Sequence, residues 1–224
     1  VKISGEVLPL LDIVLKPDDT KRLIQQVYDL DHREMIRLIE QGDDDFSFSI
    51  SGVGRFRCNA YQQRNSYAMV LRVVSLSLPD PLNMHIPPEI LQLADLKKGL
   101  VLVTGPAASG KSTTLACIID RINQSRSGHI ITIEDPIEFI HAHQKSVVSQ
   151  REVEHDTESY KTALRAALRQ SPNVILLGEM RDLETIQTAL TAAETGQLVL
   201  STLHTVGAAK TIDRIIDVFP ANQQ

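Results

Sequence analysis

Eight consecutive residues, Gly105-Pro-Ala-Ala-Ser-Gly110-Lys111-Ser112, have the types and spacing needed to cradle a chain of phosphates. They fit G-x-x-x-x-G-K-[ST], follow the apolar run Leu100-Val-Leu-Val103 and open a helical pattern, the context in which that motif works. Glycines let the backbone wrap close to phosphate, while successive N–H groups and the helix N-terminus face the negative oxygens. Lys111 then reaches the β/γ-phosphates and Ser112 offers a hydroxyl to Mg²⁺. Pro106, Ala107, Ala108 and Ser109 fill the loop and Thr113 follows it, so the candidate cradle is Gly105 to Thr113.

Acidic residues at strand ends are the natural complement. Glu134 and Asp135 close the apolar run Ile130-Ile-Thr-Ile133 just before Pro136, where ligand crevices open in doubly wound sheets. A carboxylate there can orient and deprotonate a water, although a Glu-Asp pair alone also reads as a solvated acidic turn. Glu179 stands just past Val174-Ile-Leu-Leu177, the place for a Mg²⁺-organising carboxylate beside such a loop. Read alone, its lesser alternative is a first-turn acid of the helix that follows. His204 follows the run Leu198 to Ser201 and reaches the same edge, either as a structural histidine or as a reporter of the γ-phosphate. His141, His143 and His155 lack a fourth ligand at zinc-like spacing. Arg55, Arg57, Arg64 and Arg72 lie between Phe46 and Pro79, a stretch without an acidic residue. Alternation places Arg55 and Arg57 on one strand face, the pattern of a solvated face or of an arginine finger offered to transition-state charge by another domain or subunit.

The elements that must hold these residues fall into two sets. Val1 to Val7 reads as a hairpin about Ser4-Gly5; Asp19 to Gln41 as two short amphipathic helices ended by Gly42; Phe46–Ile50, Arg55–Ala60 and Ala68–Val74 as alternating antiparallel strands. Leu76 to Pro88, with four prolines, reads as a linker. Strands at 100–103, 130–133, 174–177 and 198–201 then alternate with helices at 112–123, 157–170 and 182–195, which predicts a largely parallel sheet. The expected domains are therefore a small α+β domain with its linker over 1–88 and an α/β core over 89–224.

Composition narrows the function. The 224 residues are 42% hydrophobic and 23% charged, as in ordinary globular chains. The net charge of −5, spread over both halves, together with 4% aromatics and no tryptophan, disfavours nucleic acid as a partner. Cys58 and Cys117 stand apart in apolar runs as small hydrophobes, which fits a reducing compartment. No apolar run approaches the roughly 18 residues of a membrane span.

The chain resembles the secretion ATPase superfamily and, within it, the PilT family of type IV pilus retraction motors. Gly105 to Thr114 resembles that family's Walker A, Ile131 to Glu138 its Asp box, Val174 to Asp182 its Walker B and Leu198 to His204 its His box. Gln150-Arg-Glu-Val153, Ala163 to Gln170 and Thr211 to Pro220 resemble the retraction branch. The resemblance implies a cytoplasmic homohexamer at the inner face of the membrane, each subunit a PAS-like N-terminal domain plus a RecA-like P-loop core. It implies ATP and Mg²⁺ as cofactors, and as partners an inner-membrane platform protein and a paralogous motor ATPase. On matching positions Lys111 and Ser112 bind phosphate and Mg²⁺, Glu134 is the general base, Glu179 holds Mg²⁺ or its water, His204 lines the site, and Arg55, Arg57 and Arg72 are finger candidates. Ala107-Ala108 replaces the usual Thr-Gly, Glu154 replaces a usual glycine, and the family's helical C-terminal domain is expected beyond Gln224. The alternatives are a pilus-assembly or type II secretion ATPase, a non-hydrolysing nucleotide-binding partner of another motor, and a nucleic-acid translocase.

Overall fold

The computed structural model describes residues 1–3, 6–74 and 78–222. They form two compact units, Val1–Val74 and Ser75–Gln224.

In the first unit β1 (Lys2–Ile3) pairs antiparallel with β2 (Glu6–Val7); the Ser4-Gly5 turn expected between them lies outside the described residues. Helix α1 (Pro17–Leu30) begins on proline, whose missing N–H has no partner to lose in a first turn, and Asp19 accepts the Lys16 N–H at 3.1 Å. Helix α2 (Ile36–Gln41) stops at Gly42, where φ is +85°. Strands β3 (Asp43–Ile50), β4 (Gly54–Gln63) and β5 (Ser66–Val74) follow as an antiparallel meander. Phe46, Phe48, Cys58 and Ala60 face the helices and bury Ile24, Tyr28 and Leu38 against them. Tyr28 sits 4.8 Å from Phe46 between ring centroids and donates to buried Asp44 at 2.9 Å, so its hydroxyl is satisfied within the aromatic core. Burial, helped by Asp44, pushes the Cys58 thiol up to about 12, and it stays a protonated core residue.

The second unit opens with α3 (Pro88–Leu91) running into a single 3₁₀ turn. There follow β6 (Gly99–Thr104), α4 (Lys111–Ser125), β7 (His129–Glu134), β8 (Val147–Glu152), α5 (Tyr160–Ala167), β9 (Val174–Leu177), α6 (Leu183–Glu194), β10 (Leu198–Leu203) and α7 (Ala208–Ile216). The sheet runs β6-β10-β9-β7-β8 and every pairing is parallel. Side chains alternate across it: Ile130, Val174, Leu176, Leu198 and Leu200 meet Leu115, Ile118, Ile119 and Ile122 of α4. Ile131, Ile133, Ile175, Leu177 and Val199 meet α5 and α6 on the other face. Both faces are covered, which is why the central strands read as unbroken apolar runs. The α/β class with a parallel sheet in the core is as expected.

One strand departs from the sequence reading. β8 occupies a stretch assigned to no strand or helix above, because Val-Val-Ser-Gln-Arg-Glu at a sheet edge buries mainly Val148 and Glu152 and carries no apolar signal. Its backbone pairing with β7, not hydrophobic burial, makes it a strand.

Candidate active site

Parallel strands deliver their C-terminal ends to one edge, and the candidate residues gather there. β6 ends at Thr104, the loop Gly105–Gly110 follows, and α4 starts on Lys111, so the first free N–H groups of that helix face the loop's concavity. Gly105 allows close wrapping: a Cβ there would stand 2.7 Å from Ser109 Oγ. Ala108 adopts φ +59°, the left-handed region, at a cost on the order of 1 kcal/mol for a residue with a Cβ. Lys111 Nζ donates to Gly105 O at 2.9 Å and Pro106 O at 2.8 Å, which holds the ammonium over the loop.

A cavity of about 260 Å³ opens beside the loop. Ala107, Ala108, Lys111 and Ser112 form one wall; Glu134 at the end of β7 with Asp135 after it, Glu179 after β9, and Thr202 near the end of β10 with His204 after it form the others. Glu134 Oε1 accepts from Thr132 Oγ1 at 2.5 Å and from Gln150 Nε2 at 3.3 Å. Burial pushes its carboxyl from 4.5 up to about 7, against the pull of those two donors. Glu179 has a cation beside it instead: Arg181 Nε pairs with Oε1, and His204 Nε2 lies 3.5 Å from Oε2. Gly178 lets the strand end pass a neighbour, since a Cβ there would stand 2.6 Å from Tyr160 Oη. Thr202 Oγ1 donates to Gly178 O at 2.6 Å and ties β10 to that point. Burial and the carboxylates of Asp135, Glu179 and Glu134 raise the Tyr160 phenol above its ordinary range, so it stands in the crevice as a protonated donor.

The structure thus brings together the loop, Lys111, Ser112, Glu134, Glu179 and His204. Sequence reasoning passed over Tyr160, Arg181, Thr202, Thr132 and Gln150; Arg181, Thr202 and Thr132 had a local signal, each two residues from a chosen one. Arg55, Arg57 and Arg72 lie on the antiparallel sheet of the first unit, with Arg57 directly opposite Arg72 in the β4–β5 register. Of the histidines weighed as metal ligands, His141 is buried, which pushes it down to about 4, Val148 N donates to His143 Nδ1 at 3.1 Å, and His155 contacts Asp156 at 3.2 Å. Among the described residues no group of three or more His, Cys, Asp or Glu is arranged to hold a metal by itself.

A family model for type II/IV secretion system proteins matches residues 55–222. The type IV pilus retractation ATPase PilT of Pseudomonas aeruginosa is 47% identical over 225 residues, an alignment covering 100% of this chain and 64% of that protein. The type IV pilus ATPase PilU of the same organism is 42% identical over 223 residues, covering 100% of this chain and 58% of that protein. The crystal structure of the pilus retraction motor PilT with bound ADP superposes with a TM-score of 0.93 at 53% identity, over 99% of this chain and 64% of the other. This chain therefore spans less than two thirds of each of those proteins, and across its P-loop, its parallel sheet and 168 consecutive matched residues it belongs to the type II/IV secretion system protein family.

Proposed function

We propose that this chain carries the ATP-binding and ATP-hydrolysing unit of a type IV pilus retraction motor. The observation that carries the reading is the convergence of the phosphate loop with Glu134 and Glu179 in one crevice, in a chain alignable along its whole length with a retraction ATPase. Lys111 exchanges its loop carbonyls for β/γ-phosphate oxygens, and the loop N–H groups hold the rest of the phosphate chain. Ionised Glu134 orients a water and takes its proton, and a titration point near 7 suits a base working at neutral pH. His204 and Tyr160 line the site as hydrogen-bonding groups. Ser112 and Glu179 offer hard oxygens, which fits Mg²⁺, an ion usually held by one or two protein oxygens beside phosphates rather than by an all-protein cage. When bound, Mg²⁺ supplies positive charge to the phosphate oxygens. Arg55, Arg57 and Arg72 are the candidates for a guanidinium brought to the transition state from the N-terminal unit of the same or a neighbouring subunit.

The same reading proposes a 1–88 PAS-like domain with linker before an 89–224 RecA-like core, a homohexamer at the cytoplasmic face of the inner membrane, a pilus platform protein as partner and a paralogous motor beside it. No nucleic acid enters this scheme. No helix among the described residues is long and apolar enough to cross a membrane. The test is Mg-ATP turnover per subunit against protein concentration, measured for residues 1–224 and for a form extended to the length of its relatives. Activity rising steeply with concentration in the longer form supports a ring motor. Lys111→Ala should abolish nucleotide binding, and Glu134→Gln should bind and not turn over. Flat, near-zero turnover in both forms would favour a nucleotide-binding partner of another motor.

A further inference from the structure

The two oxygens of Glu134 are not equivalent. Both side-chain donors, Thr132 Oγ1 and Gln150 Nε2, converge on Oε1. Gln150 is itself fixed: Nε2 also donates to Phe139 O at 2.9 Å, and its Oε1 accepts the His141 N–H at 2.7 Å. A flipped amide would set an NH₂ against the His141 N–H and an oxygen against two acceptors, so one orientation is enforced. Thr132 is fully buried, two residues before Glu134 on the same face of β7, and the β7–β8 register places Gln150 directly across from it. A hydroxyl from the base's own strand and an amide from the edge strand thus grip one oxygen of a carboxylate whose residue lines the crevice.

We infer that Thr132 and Gln150 are positioning residues for hydrolysis, gripping Glu134 Oε1 so that Oε2 faces the crevice and takes the proton of the attacking water. The inference rests on the hydrolytic reading above. As that proton passes to Oε2, the water oxygen bonds to the γ-phosphorus and the bond from phosphorus to the bridging oxygen of ADP breaks. Proton transfer needs an acceptor held within hydrogen-bond reach, and a carboxylate gripped at one oxygen cannot rotate out of line. The donors also favour the ionised form, opposing the burial that raises its titration point. Glu138 also bears on that titration, through its backbone donor and its charge, and Asp135, Tyr160 of α5, Glu179 after β9, Lys111 and His204 line the same crevice. All stay in place when only Thr132 or Gln150 is changed.

The experiment is the pH profile of ATP turnover for Thr132→Val, which keeps the branched shape and loses the hydroxyl, and for Gln150→Met, with Thr132→Ser as the rescue. Loss of one donor should raise the acid-side midpoint by about one pH unit. From a midpoint near 7, turnover then falls about fivefold at pH 7 and less than twofold at pH 9, while KM for ATP and ADP affinity change less than twofold. Thr132→Ser should return the midpoint to that of the parent. A uniform fall at every pH, or an unmoved midpoint, overturns the grip. An infrared titration of ¹³C-glutamate-labelled protein, with Glu134→Gln subtracted, reads the same midpoint without turnover. A raised midpoint in the variants of a protein that hydrolyses nothing upholds the grip and rejects the hydrolytic role, and an unmoved one rejects the grip alone. Gln150→Met carries the test if Thr132→Val does not fold.

Discussion

Glu134→Gln should stabilise the protein, and by an amount that depends on pH. In the folded chain the carboxyl titrates near 7, against an ordinary 4.5, because burial disfavours its charge. Each pH unit between the two titration points is worth about 1.4 kcal/mol, so ionising the buried group costs the folded state about 3 kcal/mol. Below pH 4.5 the group is protonated in both folded and unfolded chains and contributes nothing. From 4.5 to 7 the unfolded chain releases the proton first and stability falls; above 7 the full penalty is present. Glutamine keeps an oxygen for Thr132 and Gln150 and never ionises. Allowing for the water that reaches the crevice wall, Glu134→Gln is expected to be more stable by roughly 2–3 kcal/mol at pH 8, with a Tm roughly 5–10 °C higher, and equal to the parent at pH 4.5. Urea unfolding of both proteins at pH 4.5, 6, 7 and 8 gives the difference directly. A gain that does not change with pH, or a less stable variant at pH 8, would refute a buried, destabilising carboxylate at this position.

The phosphate loop and the Gly178 contact make two further predictions. Ala108 at φ +59° gives up roughly 1–2 kcal/mol of backbone strain on becoming glycine and loses roughly 0.5–1 kcal/mol to the freer unfolded chain, so Ala108→Gly should raise Tm by about 1–3 °C; a lowered Tm would show that the left-handed geometry is not strained there. Gly178→Ala drives a methyl to 2.6 Å from Tyr160 Oη and should cost roughly 1–3 kcal/mol in urea unfolding, most of which Tyr160→Phe restores; additive costs in the double-mutant cycle would locate the strain elsewhere.

What could be read in advance follows from how local each signal is. The phosphate loop is a contiguous pattern joining a strand to a helix, and β6, β9 and β10 are apolar runs because both faces of the parallel sheet are covered. Glu134, Glu179 and His204 were legible as groups at the ends of such runs. Thr132 and Gln150 were not, because their meeting depends on the β7–β8 register, and β8 is an edge strand without apolar periodicity. Tyr160 escaped for a related reason: at the start of α5 it reads as an ordinary helix residue, and only the passage of Gly178 beside its hydroxyl places it among three carboxylates. Alternation put Arg55 and Arg57 on one face, yet nothing local to β4 could say that β5 sets Arg72 across from Arg57. Like charges directly opposite on a sheet are unfavourable, and here both residues are exposed to water.

Two carboxylates share the crevice in contrasting surroundings, and the contrast assigns their proposed work. Glu134 is half-buried among neutral donors, a hydroxyl, an amide and the Glu138 backbone, with no cation paired to it by a salt bridge among the described residues. It can therefore hold a proton near neutral pH and give it up again, as a base must in each cycle. Glu179 pairs with the Arg181 guanidinium and lies beside the His204 ring, so its charge is already matched by a cation. A carboxylate in that position suits exchange of one positive partner for another rather than proton transfer. Arg181 has a side chain 76% exposed and can leave without opening the core. Interchanging the two roles would require a base clamped by a guanidinium and a cation holder stripped of charge partners, the reverse of what the two strand ends provide.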